Sequence, residues 1–213
     1  MAEKTRIAVL VSGGGTNLQA LIDAQAAGII ENGEIVLVIA NNPDAYALER
    51  AANAGIATQV ITRATCGSRE AFTDALIAAL EEARIELIVL AGFMSILEKR
   101  FTDRFARRII NIHPALIPSF CGEGFYGLHV HEAALAYGVK VTGATVHFVN
   151  EIPDGGEIIA QKAVEVLPGD TPEVLQRRVM EEAEWILLPR ATEQVSREIR
   201  EAKDAQETAR DKS

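Results

Sequence analysis

The sequence predicts an α/β fold: a single domain built on a doubly wound, mostly parallel sheet that finishes in an antiparallel edge pair. Short β-branched apolar runs alternate with longer amphipathic stretches through the first part of the chain, the pattern of right-handed βαβ crossovers. The fourth apolar run, IELIVLAG from Ile85, is almost continuously apolar, as a central strand covered on both faces must be. After residue 109 two strand-like runs succeed one another with no helix between them, so they read as an antiparallel pair at the sheet edge.

RIAVLV from Arg6 is a buried strand ending at glycines, and NLQALIDAQAAG from Asn17 is a helix stopped by Gly28. EIVLVIANN from Glu34 is the second strand, and DAYALERAANAG from Asp44 a helix with an Asp cap and a Gly stop. ATQVIT is a short third strand, SREAFTDALIAALEEA from Ser68 a Ser-capped helix, and the run from Ile85 the fourth strand. RIINIHP is the fifth, ending in Asn111, His113 and Pro114, with TGATVHFVN and EIIAQKAVEV as the edge pair. DTPEVLQRRVMEEAEWILL opens with an Asp/Thr cap and Pro172 in its first turn, a strong helix start. Residues 1–196 read as the domain. Residues 197–213 carry ten charges and no aromatic, a solvated helix extension or a disordered tail. No repeat and no linker interrupts the chain.

Composition narrows the function classes. The chain has 213 residues, 48% of them hydrophobic, and a net charge of -9. That is enough for one sizeable core. The negative field disfavours nucleic acid and anionic membranes as partners. No apolar run reaches the roughly 18 residues that span a bilayer, and the N-terminus shows no signal peptide. Cys66 and Cys121 have no metal-like spacing and read as free thiols in a reducing compartment. The expected location is cytoplasmic. His129 and His131 share a spacing that could suggest a metal, but nothing completes a site, so no metal is expected.

SGGGTN, from Ser12 to Asn17, joins the first strand to the first helix. Free backbone N–H groups and the positive helix end suit a phosphate there, and Thr16 and Asn17 add side-chain donors. Leu18 stands where a dinucleotide fingerprint needs glycine, no acid ends the second strand, and no Gly-Lys-Ser/Thr is present. A lone monoester phosphate fits better than a dinucleotide or a nucleoside triphosphate. A tight turn without a ligand is the plainer alternative.

Asn111 and His113 alternate by two, so both point to one face at the strand's C-terminal end, where open α/β sheets place ligands. An imidazole beside a carboxamide can stabilise an oxyanion and move protons near neutral pH. Asp154 lies in a glycine-flanked turn that can aim it into a cleft, where a carboxylate near an imidazole favours the charged ring. Each also has a plainer reading, a hydrogen-bonded structural histidine and an ordinary hairpin turn. No Ser or Cys has an obvious place beside the histidine, which favours direct transfer over an acyl-enzyme.

Taken together, RIAVLVSGGGTNLQALIDA, NNPDAYALERAANAGIAT, SREAF, IVLAGFMSIL, INIHPALIPSF, GFYGLHVHEAAL, VTGATVHFV and DGGEIIAQ resemble the folate-dependent phosphoribosylglycinamide formyltransferases of purine biosynthesis. The resemblance runs over roughly residues 6–180. It implies a Rossmann-like formyltransferase fold and transfer of the formyl group of 10-formyltetrahydrofolate to the amine of 5-phosphoribosylglycinamide. It also implies a role for each matching position. Asn111, His113 and Asp154 match the catalytic trio, with Asp154 holding His113 charged. Gly15, Thr16 and Asn17 match the substrate phosphate site. Arg69 matches the arginine near the folate's glutamyl carboxylates. Leu90 and the segment Phe93, Met94, Ser95, Ile96 and Leu97 match the pterin pocket. His147 is expected to pack behind His113. Two positions depart from the pattern. Ser95 replaces a basic residue, and Ala183 and Glu184 stand where the family shows Glu-His, its glutamate touching the substrate ribose. A formyltetrahydrofolate hydrolase and a non-catalytic folate- or phosphosugar-binding protein are the alternatives. The chain is expected to act as a monomer or homodimer.

Overall fold

The computed structural model describes residues 3–210. The chain groups into two compact units.

One unit runs up to Met94 and resumes from Pro189. It holds β1 (Thr5–Val11), α1 (Thr16–Ala26), β2 (Gly33–Ala40), α2 (Ala47–Asn53), β3 (Ala57–Val60), α3 (Arg63–Cys66), α4 (Arg69–Glu82) and β4 (Leu87–Leu90). Its strands are parallel: β1 pairs with β2 and β4, and β2 pairs with β3. Ile7 through Val11 are wholly buried, as are Val38, Ile39 and Leu87 to Val89. Continuous apolar runs form central parallel strands because both faces are covered. Ser68 caps α4 as expected, its Oγ accepting from the Ala71 N–H at 3.0 Å.

The second helix departs from its sequence reading. It begins at Ala47, not at Asp44, and no side chain caps it. The Ala47 N–H instead donates to the Gly13 carbonyl at 3.1 Å. A backbone acceptor from the glycine turn thus satisfies a first-turn donor that a capping side chain would otherwise take. Nothing in the composition or periodicity around Asp44 signals a partner so distant in the chain.

The other unit, Ser95–Leu188, holds α5 (Lys99–Arg104), β5 (Ile109–His113), α6 (Leu128–Tyr137), β6 (Val141–Phe148), β7 (Ile158–Glu165), α7 (Pro172–Val179) and a π-turn (Met180–Glu184). β5, β6 and β7 form an antiparallel ladder, so β6 is flanked on both sides and β7 is the edge strand. Thr171 caps α7, accepting from the Val174 N–H at 3.4 Å, with Pro172 in the first turn. The last helix, α8 (Trp185–Arg210), continues through the charged tail as far as the described residues reach. Lys203 pairs with Glu86, and the Ser196 carbonyl accepts from the Thr5 hydroxyl at 2.8 Å. The tail is therefore a helix extension, with residues 211–213 outside the described chain.

Candidate active site

Strand register assembles the site. In the β5–β6 ladder Asn111 lies opposite His147, and His113 opposite Thr145. Directly opposed residues share a face, so period-two alternation along both strands puts all four side chains together. Thr145 is fully buried. Its hydroxyl donates to the Ala115 carbonyl at 2.7 Å and accepts from the Ile117 N–H at 3.1 Å and the Gln161 amide at 3.0 Å. That fixes the chain as it leaves β5.

His113 is 3% exposed. Its Nε2 lies 2.8 Å from the Phe120 carbonyl. A carbonyl only accepts, so Nε2 carries a proton. Its Nδ1 lies 3.5 Å from Asp154 Oδ2. The same carboxylate oxygen accepts the Gly122 N–H at 2.9 Å, and Oδ1 lies 3.6 Å from His147 Nε2. Asp154 sits at φ 54°, a left-handed conformation that Asp and Asn adopt more readily than other non-glycine residues. The carboxylate reaches His113 from a nine-residue connection between β6 and β7, closed by Phe148 N–H to Glu157 carbonyl at 2.8 Å. This is not a tight hairpin.

Burial and charge act on the pair in opposite directions. Burial lowers the His113 pKa, and Asp154 and the Phe120 carbonyl recover only part of that, so the ring lies below its ordinary 6.5. Asp154 thus favours the charged ring, working against the larger effect of burial. Burial also opposes ionisation of Asp154. The contact with His147, the charge on His113 and the Gly122 N–H outweigh it, and the carboxyl lies below its ordinary value. A buried imidazole faced by two acceptors takes up a second proton once negative charge develops beside it.

Cys121 lies in the same loop as Gly122. Burial and the charge of Asp154 raise its thiol pKa above the ordinary value, which disfavours the thiolate.

His131 is fully buried on α6, and neither ring nitrogen has a hydrogen-bond partner. Burial, with a smaller push from His113, lowers its pKa to about 4 from 6.5. The unfolded chain takes up this proton as pH falls through 6.5, but the folded chain does not until about 4. Stability from this ring is thus full above its unfolded pKa and lost on acidification, about 2 kcal/mol by pH 5. His131→Leu is expected to flatten the fall in urea midpoint between pH 7 and 5. Equal falls in both proteins would rule this out.

Gly15 has φ 70°, and a Cβ there would meet Ala47 Cβ at 2.6 Å, so close approach of α2 demands glycine. A Cβ on Gly13 or Gly14 would meet nothing within 4 Å. Those two glycines leave the turn open rather than fill a packing need. Thr16 and Asn17 begin α1. Arg50 braces the turn, donating to the Gly14 carbonyl at 2.8 Å and to Gln19 at 3.0 Å; sequence reasoning misses it. Arg69 starts α4, and Leu90 ends β4, 6% exposed. Phe93, Met94, Ser95, Ile96 and Leu97 form an irregular stretch before α5, with the Met94 N–H donating to Ser12 Oγ at 2.8 Å. Met94 and Ile96 are exposed.

The helix after β7 is not a regular one. Met180–Glu184 form a π-turn, which accommodates one residue more than an α-turn and so shifts the phase of the helix beyond it. Ala183 and Glu184 are buried, while Glu181 and Glu182 are exposed. Among the described residues no group of three or more His, Cys, Asp or Glu side chains could hold a metal. No helix among them is long and apolar enough to cross a membrane.

Fold and cluster together present an α/β sheet protein whose candidate site offers a buried imidazole, a carboxamide and a carboxylate. The formyl transferase family model matches residues 5–192. The chain is 48% identical over 191 residues to the trifunctional purine biosynthetic protein adenosine-3 of Drosophila pseudoobscura pseudoobscura, covering 88% of this chain but 13% of that protein. It therefore spans only a small part of that larger relative. It is 44% identical over 177 residues to the phosphoribosylglycinamide formyltransferase of Haemophilus influenzae, covering 83% of this chain and 81% of that one. The solved phosphoribosylglycinamide formyltransferase of Brucella melitensis superimposes with a TM-score of 0.83 at 44% identity, covering 91% of this chain and 96% of that one. The chain belongs to the formyl transferase family.

Proposed function

We infer that the chain transfers the formyl group of 10-formyltetrahydrofolate to the amine of 5-phosphoribosylglycinamide, the purine-biosynthetic step for which its relatives are named. The observation that carries this is the convergence of the half-buried Asn111 and Asp154 on the same corner of the sheet as the buried His113. The substrate amine attacks the formyl carbon, forming a C–N bond as the carbonyl electron pair moves onto oxygen. Asn111 and the Nε2–H of His113, exchanging the Phe120 carbonyl for the formyl oxygen, stabilise that oxyanion. The growing negative charge offsets the burial that disfavours the charged form of His113. Asp154 assists movement of a proton from the attacking amine to the folate nitrogen, through water, and the bond from carbon to that nitrogen then breaks.

Gly15, Thr16 and Asn17 hold the substrate phosphate, and Arg69, Leu90 and residues 93–97 hold the folate. Glu184 supplies the carboxylate that the resemblance places at Ala183, since the π-turn shifts the phase of the helix and Glu184 is the buried acid there. The enzyme is cytoplasmic, needs no metal, and works as a monomer or homodimer, with residues 1–196 as its catalytic body.

The test mixes the protein with 10-formyltetrahydrofolate, with and without the phosphorylated amine, and monitors tetrahydrofolate. Product only with amine is expected. Equal product without amine would replace transfer by hydrolysis, and tight folate binding without turnover would leave a binding protein.

A further inference from the structure

We propose that His147 is a positioning residue that decides which way round the Asn111 carboxamide faces. His147 Nδ1 lies 2.8 Å from the Phe148 carbonyl. That carbonyl can only accept, so Nδ1 carries a proton. Nε2 lies 3.2 Å from Asn111 Nδ2. The NH2 group offers only hydrogens, so in this contact Asn111 donates and Nε2 accepts. The carboxamide is thereby held with its NH2 group towards His147. One Nδ2 hydrogen is used in this bond, and the other is the single donor that Asn111 keeps for a developing oxyanion.

The orientation needs holding. The terminal torsion of Asn is broad and roughly two-fold, so an untethered carboxamide exchanges oxygen for nitrogen at little cost. In the turned-over state an acceptor oxygen would stand where the NH2 group belongs. The Phe148 carbonyl that sets the His147 tautomer belongs to the last residue of β6, and His147 is 2% exposed. The relay from the Phe148 carbonyl through His147 to Asn111 is therefore built from backbone, a buried imidazole and its half-buried cross-strand partner. Asp154 Oδ1, at 3.6 Å, is the other polar group facing Nε2, so the test must separate action on the carboxamide from action through the carboxylate.

The proposal rests on the transfer reading above, and its two arms fail separately. The structural arm is NMR of the Asn111 side-chain NH2 group in the intact chain. In the wild type its two protons are expected to be well separated and one coupled to His147 Nε2. In His147→Leu that coupling is absent and the pair shows exchange. The kinetic arm expects kcat for His147→Leu to fall by about tenfold or more, a fraction of the loss on deleting an oxyanion donor outright, with KM little changed. His147→Gln, whose Oε1 replaces the acceptor at Nε2, recovers most of the rate. In an Asn111→Ala background His147→Leu costs no further activity, whereas in Asp154→Asn it still does. An Asn111 NH2 group unaltered in folded His147→Leu overturns the proposal. So does a His147→Leu loss that is additive with Asn111→Ala. Absence of transfer by the wild type would defeat the function reading while the NMR arm still decides the contact.

Discussion

His113→Ala and Asp154→Asn are each expected to lower amine-dependent turnover by about two to four orders of magnitude, the range for losing a general acid–base group or an oxyanion donor. The two act through different physics. His113→Ala removes the ring itself and opens a small cavity at a buried strand end, so about 1–3 kcal/mol of stability goes with it. Asp154→Asn keeps the left-handed backbone, since Asn tolerates φ 54° nearly as well, and removes only the charge. Its melting temperature is expected to stay near that of the wild type. The charge has a second readout. Asp154 raises the His113 pKa against the larger effect of burial. Removing it moves the ring's titration further below 6.5, so the pH-dependent change in its NMR ring shifts begins at lower pH than in the wild type. Near-normal turnover in both folded variants would take the pair out of the chemistry. A His113 titration that rises in Asp154→Asn would reverse the electrostatic account.

Legibility in the chain tracks how local each determinant is. Strands β1, β2 and β4 are legible because burial on both faces requires unbroken apolar runs, and RIAVLV, EIVLVIA and LIVL supply them. The shared face of Asn111 and His113 is legible from period two alone. That His147 joins them depends on the β5–β6 register, which no single strand encodes. The reach of Asp154 depends on a nine-residue connection and on the Gly122 N–H from another loop. The start of α2 is not legible locally, because the Gly13 carbonyl, not Asp44, meets the Ala47 N–H. The low pKa of His113 comes from desolvation, a property of packing that composition does not carry. The π-turn is likewise invisible to a 3.6-residue count, and with it the burial of both Ala183 and Glu184.

Gly156→Ala is expected to do nearly as much damage as a substitution at the acid itself. A Cβ on Gly156 would lie 1.7 Å from the Phe148 carbonyl oxygen and 2.6 Å from its carbon. Both are backbone atoms, so no rotamer relieves the clash. Phe148 is tied at its N–H to the Glu157 carbonyl at 2.8 Å, and the next residue, Val149, donates to Ile109 at 2.9 Å. Either the base of the connection opens or the end of β6 leaves β5. The overpacking is expected to cost about 2–4 kcal/mol. Asp154 lies two residues before the clash and touches His113 at 3.5 Å. A shift of about 1 Å at such a contact is enough to lose about a hundredfold in rate. The same shift displaces the Phe148 carbonyl that orients His147. Gly155→Ala is the informative neighbour, because its Cβ meets chiefly the side chain of Ile152, itself 59% exposed. It should lose less on both counts, read by thermal melting and by initial rate. If Gly156→Ala melts with the wild type and turns over at its rate, the connection reseats Asp154 without the Phe148–Glu157 closure, and the backbone there does not position the acid.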